Sequence, residues 1–232
     1  MSTVKEIEMS TLFGENAANF WKMIMLPAFA STFQMVIITT ILGTLFGGLV
    51  AVVLIVTNKN GMHPNRVIYR LTAFIVNVVR SFPFVILMVF LLPFTKLVMG
   101  TSIGVKAAIV PLTVSATAFI ARLIESAMQE VDPSLIKAMR SFGISDAQLV
   151  FRVILSEAVP SIISGIILAT IAILGSTTMA GTMGAGGIGS AAITYGYQSF
   201  NYQVMYIIAF ILVIFVELIQ GLGNFVYKKM KG

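Results

Sequence analysis

Cysteine is absent from the 232 residues, and histidine occurs once. Without thiols there is neither a disulfide framework nor a thiolate metal site. With His63 as the single imidazole, placed in a turn where it reads as a solvated loop residue, no nucleophile–His–acid set can be assembled. No His, Asp and Glu cluster has metal-ligand spacing either. A GxxxxGK[ST] stretch is also missing, so the chain cannot cradle nucleotide phosphates with a P-loop. Enzyme chemistry within the chain is therefore not expected, and neither is a metal or cofactor bound by it. Charge is scarce as well. Only 10% of residues are charged against 58% hydrophobic, and mean hydropathy is +0.98. A soluble domain of this size needs far more charge to stay in water, so the chain belongs in a bilayer.

What is present is length of apolar sequence. About 30 Å of hydrocarbon takes roughly 20 apolar residues per helix. Runs of that kind cover Phe33–Thr57, Tyr69–Phe94, Val105–Ser126, Leu149–Thr178 and Tyr202–Tyr227. They exclude a β-barrel, whose strands alternate over about ten residues. The fold class is all-α membrane protein with five transmembrane helices. Residues 1–32 carry Glu6, Glu8 and Glu15, lack the pattern of a cleaved signal, and read as an extracytoplasmic amphipathic lead-in. Residues 33–227 form the transmembrane domain, and 228–232 a basic cytoplasmic tail. No internal repeat is visible, which removes the usual sequence hint of a self-contained secondary transporter.

The net charge of +6 is distributed by side. With the N-terminus outside, ten basic residues (Lys59, Arg66, Arg70, Arg122, Lys137, Arg140, Arg152, Lys228, Lys229 and Lys231) fall in or beside cytoplasmic segments. Lys5, Lys22, Lys96 and Lys106 fall outside, and Arg80 lies at membrane depth. This is the positive-inside bias, giving N-out, C-in. Basic residues spread over separate loops do not make a nucleic-acid surface.

Asn58–Asn65, rich in Asn, Gly and Pro, is a tight turn after the first span, and Thr95–Gly104 is the turn before the third. Pro83 in Arg80-Ser81-Phe82-Pro83 lacks a donor and crowds the Val79 carbonyl, so the second span should kink there. Arg80 beside it either lines a pathway or tethers the freed carbonyls. Gly184–Gly189 matches GxGxxG formally but follows a span rather than a strand, so a bend with close backbone approach is the expected use. Met179 and Met183 could line a soft constriction or pack in the core. Gly43 and Gly47, one turn apart, mark a tight helix contact. Glu157 and Glu217 are candidate buried acids.

The most informative segment lies in the polar gap between spans three and four. Asp132 can cap a helix that starts at Pro133, and Gly143 can end it with positive φ. Within 133–142, Leu135, Ile136, Met139 and Phe142 share one face, with Ser134, Lys137, Arg140 and Ser141 opposite. Ser145 and Asp146 can cap the next helix. The product is a short amphipathic cytoplasmic rod at an angle to two spans, suited to docking; a helix floating on the lipid surface is the bland alternative.

Lys137-Ala138-Met139, with Gly143 six residues after the lysine, then Leu155 and Pro160, resembles the EAA-type coupling loop of ABC-importer permeases. Lys137 stands where that family has Glu, and Ser156 where it has Pro. Further blocks resemble the methionine-importer permeases: Arg80–Phe84, Pro93-Phe94-Thr95, Gly100–Gly104, Ala108–Thr113, Phe119–Arg122, and Gly184–Gly189 followed by Tyr195-Gly196-Tyr197. The resemblance spans about Asn77 to Tyr227. It implies a permease subunit in a bacterial cell membrane, paired with a second copy of itself. It further implies two cytoplasmic ATP-binding-cassette subunits carrying ATP and Mg, and an extracytoplasmic substrate-binding lipoprotein. Methionine, in either enantiomer, would move inward by alternating access. Leu135, Ile136, Lys137, Ala138, Met139, Phe142 and Gly143 then form the ATPase-coupling set, and Arg80, Pro83, Met179 and Met183 are pathway or gate candidates. A permease for another amino acid or a compatible solute, an ATP-independent secondary transporter and a non-transporting scaffold are the alternatives.

Overall fold

The computed structural model describes residues 17–231. Every regular element among them is a helix, and none is a strand. In hydrocarbon no water is available to backbone N–H and C=O groups, so a helix, which satisfies them within one segment, is the form these apolar runs can take. Helix α1 covers Trp21–Thr57, preceded without a break by the turn Ala17–Phe20. Then come α2 (Arg66–Ser81), α3 (Phe84–Phe90), α4 (Leu92–Met99), α5 (Val105–Gln129), α6 (Pro133–Ser141) and α7 (Asp146–Ala185). Helix α8 (Ile188–Ala191) continues as a π-helical segment, Ala192–Tyr197, and α9 runs from Tyr202 to Lys231. Helices α1, α5, α7 and α9 are each long and apolar enough to cross a membrane; counting the bent pair α2–α3 as one span gives five.

Several boundaries differ from the sequence expectation, each for a local reason. The first span begins at Trp21 rather than Phe33, because Pro27 does not stop the helix. It leaves the Met23 carbonyl without its donor, and the turn Trp21–Met25 widens into a π-helix whose bond runs from the Leu26 N–H to the Trp21 carbonyl. Residues 17–32 are thus part of the first helix instead of a separate lead-in; residues 1–16 of that lead-in lie outside the described residues. The second run is broken as expected at Pro83, with Phe82 extended at φ −73°, ψ 128°. The turn before α5 is shorter than Thr95–Gly104, since α4 continues to Met99 with Pro93 in its first turn and Gly100 as its left-handed cap. Lys228 and Lys229, read from sequence as part of a basic tail, continue α9.

The chain divides into two compact units. The first contains residues up to Thr39, Phe84–Leu112 and Ile171–Gln220. Its core is Phe20, Met25 and Ala28 of α1's N-terminal part against Ile188, Ala191, Val204 and Ile208. Phe20 meets Tyr195 edge to face at 6.0 Å. Helix α7 breaks at Met183 and Gly184, the latter at φ 95°. The following turn is pinned twice: the Gly104 N–H donates to the Gly184 carbonyl at 3.1 Å, and the Ile188 N–H donates to Thr32 Oγ1 at 2.9 Å. A Cβ on Gly187 would sit 2.7 Å from that same Thr32 oxygen. The glycine run is therefore a bend with close backbone approach, and the strand that a dinucleotide site requires does not precede it.

The second unit comprises Thr40–Pro83, Thr113–Thr170 and the chain from Gly221 onward. Here α1 and α5 meet through small residues, as association without a hydrophobic driving force favours. A Cβ at Gly43 would lie 2.8 Å from Ala116 Cβ, and one at Gly47 would lie 3.0 Å from the Thr117 carbonyl oxygen and 3.1 Å from the Ala121 nitrogen. After α1, the turn 58–65 ends in Asn65, whose side chain caps α2 by accepting from the Val67 and Ile68 N–H groups, both at 3.1 Å. Backbone atoms cannot retreat from an added side chain. Gly47→Val should therefore lower the stability of the purified protein by about 1–3 kcal/mol. Gly48→Ala, whose Cβ would meet only Ile124 Cδ1 at 4.0 Å, should leave it nearly unchanged. Thermal unfolding in one detergent, monitored by circular dichroism, checks both.

Candidate functional site

Helix α6 is built by its caps. Asp132 accepts from the Ser134 N–H at 2.8 Å, Pro133 opens the first turn, and the chain leaves the helix through Phe142 into Gly143 at φ 75°. Two residues on, Ser145 and Gln148 form a reciprocal capping box that starts α7: Gln148 N–H to Ser145 Oγ at 3.3 Å, and Ser145 N–H to Gln148 Oε1 at 3.0 Å. Only two residues separate these capped ends, so the joint between α6 and the start of α7 is short. The helix proper is Pro133–Ser141, one residue shorter than the 133–142 rod read from sequence, because Phe142 is its C-cap.

Leu135, Ile136 and Met139 are half-buried, whereas Phe142 is 80% exposed and Lys137, Ala138 and Arg140 are exposed. The apolar residues expected to form one face thus divide: three turn toward the rest of their unit and the fourth faces away. Beside α6 lies a cavity of about 520 Å³, bounded by the 58–62 turn, Met128, Gln129, Ile136 and Ile154 among others. The exposed pair His63 Nε2 and Asp146 Oδ2, 3.2 Å apart, links that turn to the start of α7.

Just before α6, the C-terminal half of α5 carries a polar cluster that reading the sequence does not find. Glu125, with a side chain 4% exposed, accepts from Arg122 Nη1 at 2.6 Å, Gln129 Nε2 at 3.1 Å and Tyr69 Oη at 3.2 Å. Arg122 Nη2 donates onward to Asn77 Oδ1 at 3.0 Å and to the Ala73 carbonyl at 3.3 Å. The readable signal is an Arg and a Glu three apart inside an apolar run, opposite Tyr69, Ala73 and Asn77 at four-residue spacing. Glu157 and Glu217, read as buried acids, are both exposed on this chain.

Of the pathway candidates, Arg80 and Pro83 belong to the second unit and Met179 and Met183 to the first. Arg80 is exposed, with its guanidinium carbon 5.9 Å from the centre of the Phe119 ring. It stacks there, and the Val79 carbonyl freed at Pro83 accepts from the Phe82 N–H at 3.3 Å. Met179 is 48% exposed and so lies outside the core of this chain; Met183 is half-buried at the α7 break.

A family model described as the binding-protein-dependent transport system inner membrane component matches residues 43–232. The chain belongs to that family. An inner membrane component with four or five apolar spans is a multi-pass protein of the cytoplasmic membrane. A probable D-methionine transport system permease protein of Vibrio cholerae is 38% identical over 89% of this chain and 92% of its own length. A methionine import system permease protein of Bacillus subtilis is 37% identical over 75% and 78%. Among solved structures, an inward-facing MetNI methionine ABC transporter chain superposes with a TM-score of 0.88 at 38% identity, covering 90% of this chain and 97% of that one. A chain of an amino acid ABC transporter, 19% identical with a TM-score of 0.75, shares the fold.

The hydrogen bond and side-chain contact with Ser134 hold the Asp132 carboxyl below its ordinary value. A lowered folded-state pKa means that the cap's contribution is complete above the ordinary value and is lost as pH falls through the lowered one. Asp132→Asn should keep α6 capped and remove this acid dependence, while Asp132→Ala should speed hydrogen exchange in the first turn at neutral pH. Exchange mass spectrometry of the 132–142 peptide at pH 7 and pH 4 separates the three forms.

Proposed function

We propose that this chain is the transmembrane permease subunit of an ATP-driven methionine importer and forms the translocation pathway. The observation that carries the reading is the near-complete superposition, at 38% identity, on a MetNI methionine ABC transporter chain. The charge bias supports N-out, C-in, which puts α6 on the cytoplasmic face. Two copies of the chain would surround the pathway, two ATPase subunits would hold ATP and Mg, and an extracytoplasmic lipoprotein would deliver L- or D-methionine. The chain itself hydrolyses nothing.

In this mechanism α6 receives the stroke. Exposed Phe142, with Lys137 and Ala138, is what an ATPase groove would grip, while half-buried Leu135, Ile136 and Met139 seat the helix on its own chain. ATP binding closes the ATPase pair, displaces α6 and favours the outward-open arrangement; hydrolysis returns it. A ligand moves such an equilibrium only by binding its two states unequally, and here that difference resides in the ATPase subunits. Gly143 keeps the angle between α6 and α7.

Reconstituted with its ATPase and binding protein in liposomes, the chain should import radiolabelled methionine only with ATP on the side of the ATPase subunits. Import driven by an ion gradient without ATPase would overturn the reading. A β-branched residue at φ 75° is strained by about 1–3 kcal/mol, whatever the space around it. Gly143→Val should therefore cut methionine imported per ATP hydrolysed by about tenfold with the complex assembled. Gly143→Asn, which tolerates the left-handed region, should retain most of it.

A further inference from the structure

We infer that Glu125, Arg122 and their partners form a polar clasp that makes α2 and the end of α5 move as one body with α6. Glu125 and Arg122 are positioning residues for the transport stroke, and the inference rests on the importer reading above.

Three observations converge. The first is where the clasp sits. Gln129 is the last residue of α5, three before the Asp132 cap of α6, and it donates to Glu125. Whatever displaces α6 pulls on that end of α5 through two intervening residues. The second is how α6 is seated. Its apolar residues are only half-buried, and the cavity of about 520 Å³ lies beside it, with Gln129 and Ile136 both in its wall. Side-to-side packing there is shallow, so the covalent joint to α5 is a direct route for the motion at this end of α6. The third is what the clasp holds. Tyr69, Ala73 and Asn77 lie one turn apart along a single face of α2, and all three bond to the Glu125–Arg122 pair. That grips α2 over two full turns rather than at a point.

The chemistry suits a joint that must not slip. Small-residue packing, as at Gly43 and Gly47, lets helices slide at modest cost. A charge pair with a buried carboxylate and five hydrogen bonds resists sliding, since moving either helix leaves the buried Glu125 carboxylate short of partners. The carboxylate accepts three bonds and the guanidinium donates three, so separation would break the network at several points together.

The test uses the full complex in liposomes, with radiolabelled methionine imported per ATP hydrolysed as the readout. Tyr69→Phe removes one donor and leaves the charge pair, so it should assemble normally and lower that ratio by about two- to threefold. Glu125→Gln should lower it by about five- to tenfold, within the range that substitutions in coupled networks produce. Arg122→Gln with Glu125→Gln replaces the pair by two amides and strands no charge, so it should recover part of the loss seen with Glu125→Gln alone. A role confined to folding predicts something else: less assembled complex, with the ratio unchanged in what does assemble. An unchanged ratio in both Tyr69→Phe and Glu125→Gln overturns the clasp while the wild-type complex remains ATP-coupled. If the wild-type complex is not ATP-coupled at all, the importer reading itself fails first.

Discussion

Backbone hydrogen bonding in a medium without water is the constraint around which this chain is arranged. Each N–H and C=O within a span has to find its partner in the protein. Long helices meet that demand by themselves, and the interest lies in the places where they stop. At Pro83 the freed region is closed locally by the Phe82 N–H on the Val79 carbonyl. At Pro27 the ladder is not broken but widened into a π-helical turn. At Gly184–Gly187 three left-handed glycines take the chain out of α7, and Thr32 and Gly104 supply partners for the exposed backbone. Each of these interruptions is met by a nearby donor or acceptor, and each places glycine or proline where a departure from α-helix is needed.

Side chains obey the same rule with higher stakes. A buried charge near the end of a span also needs compensation, though less than the roughly 2.5–3.5 kcal/mol that insertion scales give at the helix centre. Glu125 and Arg122 meet the condition through five hydrogen bonds, one between them and four to their neighbours. Arg80 takes the other route, lying exposed over the face of Phe119. Glycines provide a third kind of contact, in which Gly43 and Gly47 let the α5 backbone approach α1 without any polar bond. Within the second unit, then, one helix pair is joined by shape and another by charge. The two kinds of joint differ in how they respond to displacement.

Much of this is legible in the sequence because its causes are local. The α6 caps come from Asp132-Pro133 and Gly143, the break at Pro83 from one missing donor, and the α1–α5 contact from two glycines a turn apart. What the sequence conceals depends on partners far along the chain. Nothing near Glu125 announces that Tyr69, more than fifty residues away, completes its coordination, whereas Glu157 and Glu217 look equally buried in one dimension. The first span reads too short because the residues before Phe33 read as an amphipathic lead-in; a helix that widens at Trp21–Met25 gets past Pro27. Met179 passes for a core residue because apolar composition alone cannot distinguish protein from lipid. The period of α6 is right, but period does not say which residues of its apolar face turn back onto the chain.

That division of α6 bears on how a short helix can serve as a lever. A rod that transmits force must be stiff along its length and free at its seat, and these are separate properties. Stiffness comes from the Asp132 cap, the Gly143 exit and the Ser145–Gln148 box, which fix nine helical residues between two defined ends. Freedom comes from the shallow burial of Leu135, Ile136 and Met139 and from the open space beside them. If α6 were fully packed, displacing it would cost the burial of several apolar side chains, and an ATPase would spend its stroke on repacking. If its ends were uncapped, the same stroke would unwind it. A seat this loose moves the problem of transmission to the helix ends, where Gln129 leads into the Glu125 network on one side and the capping box into α7 on the other. In the proposed importer, those ends are where rigidity governs the yield of transport per nucleotide.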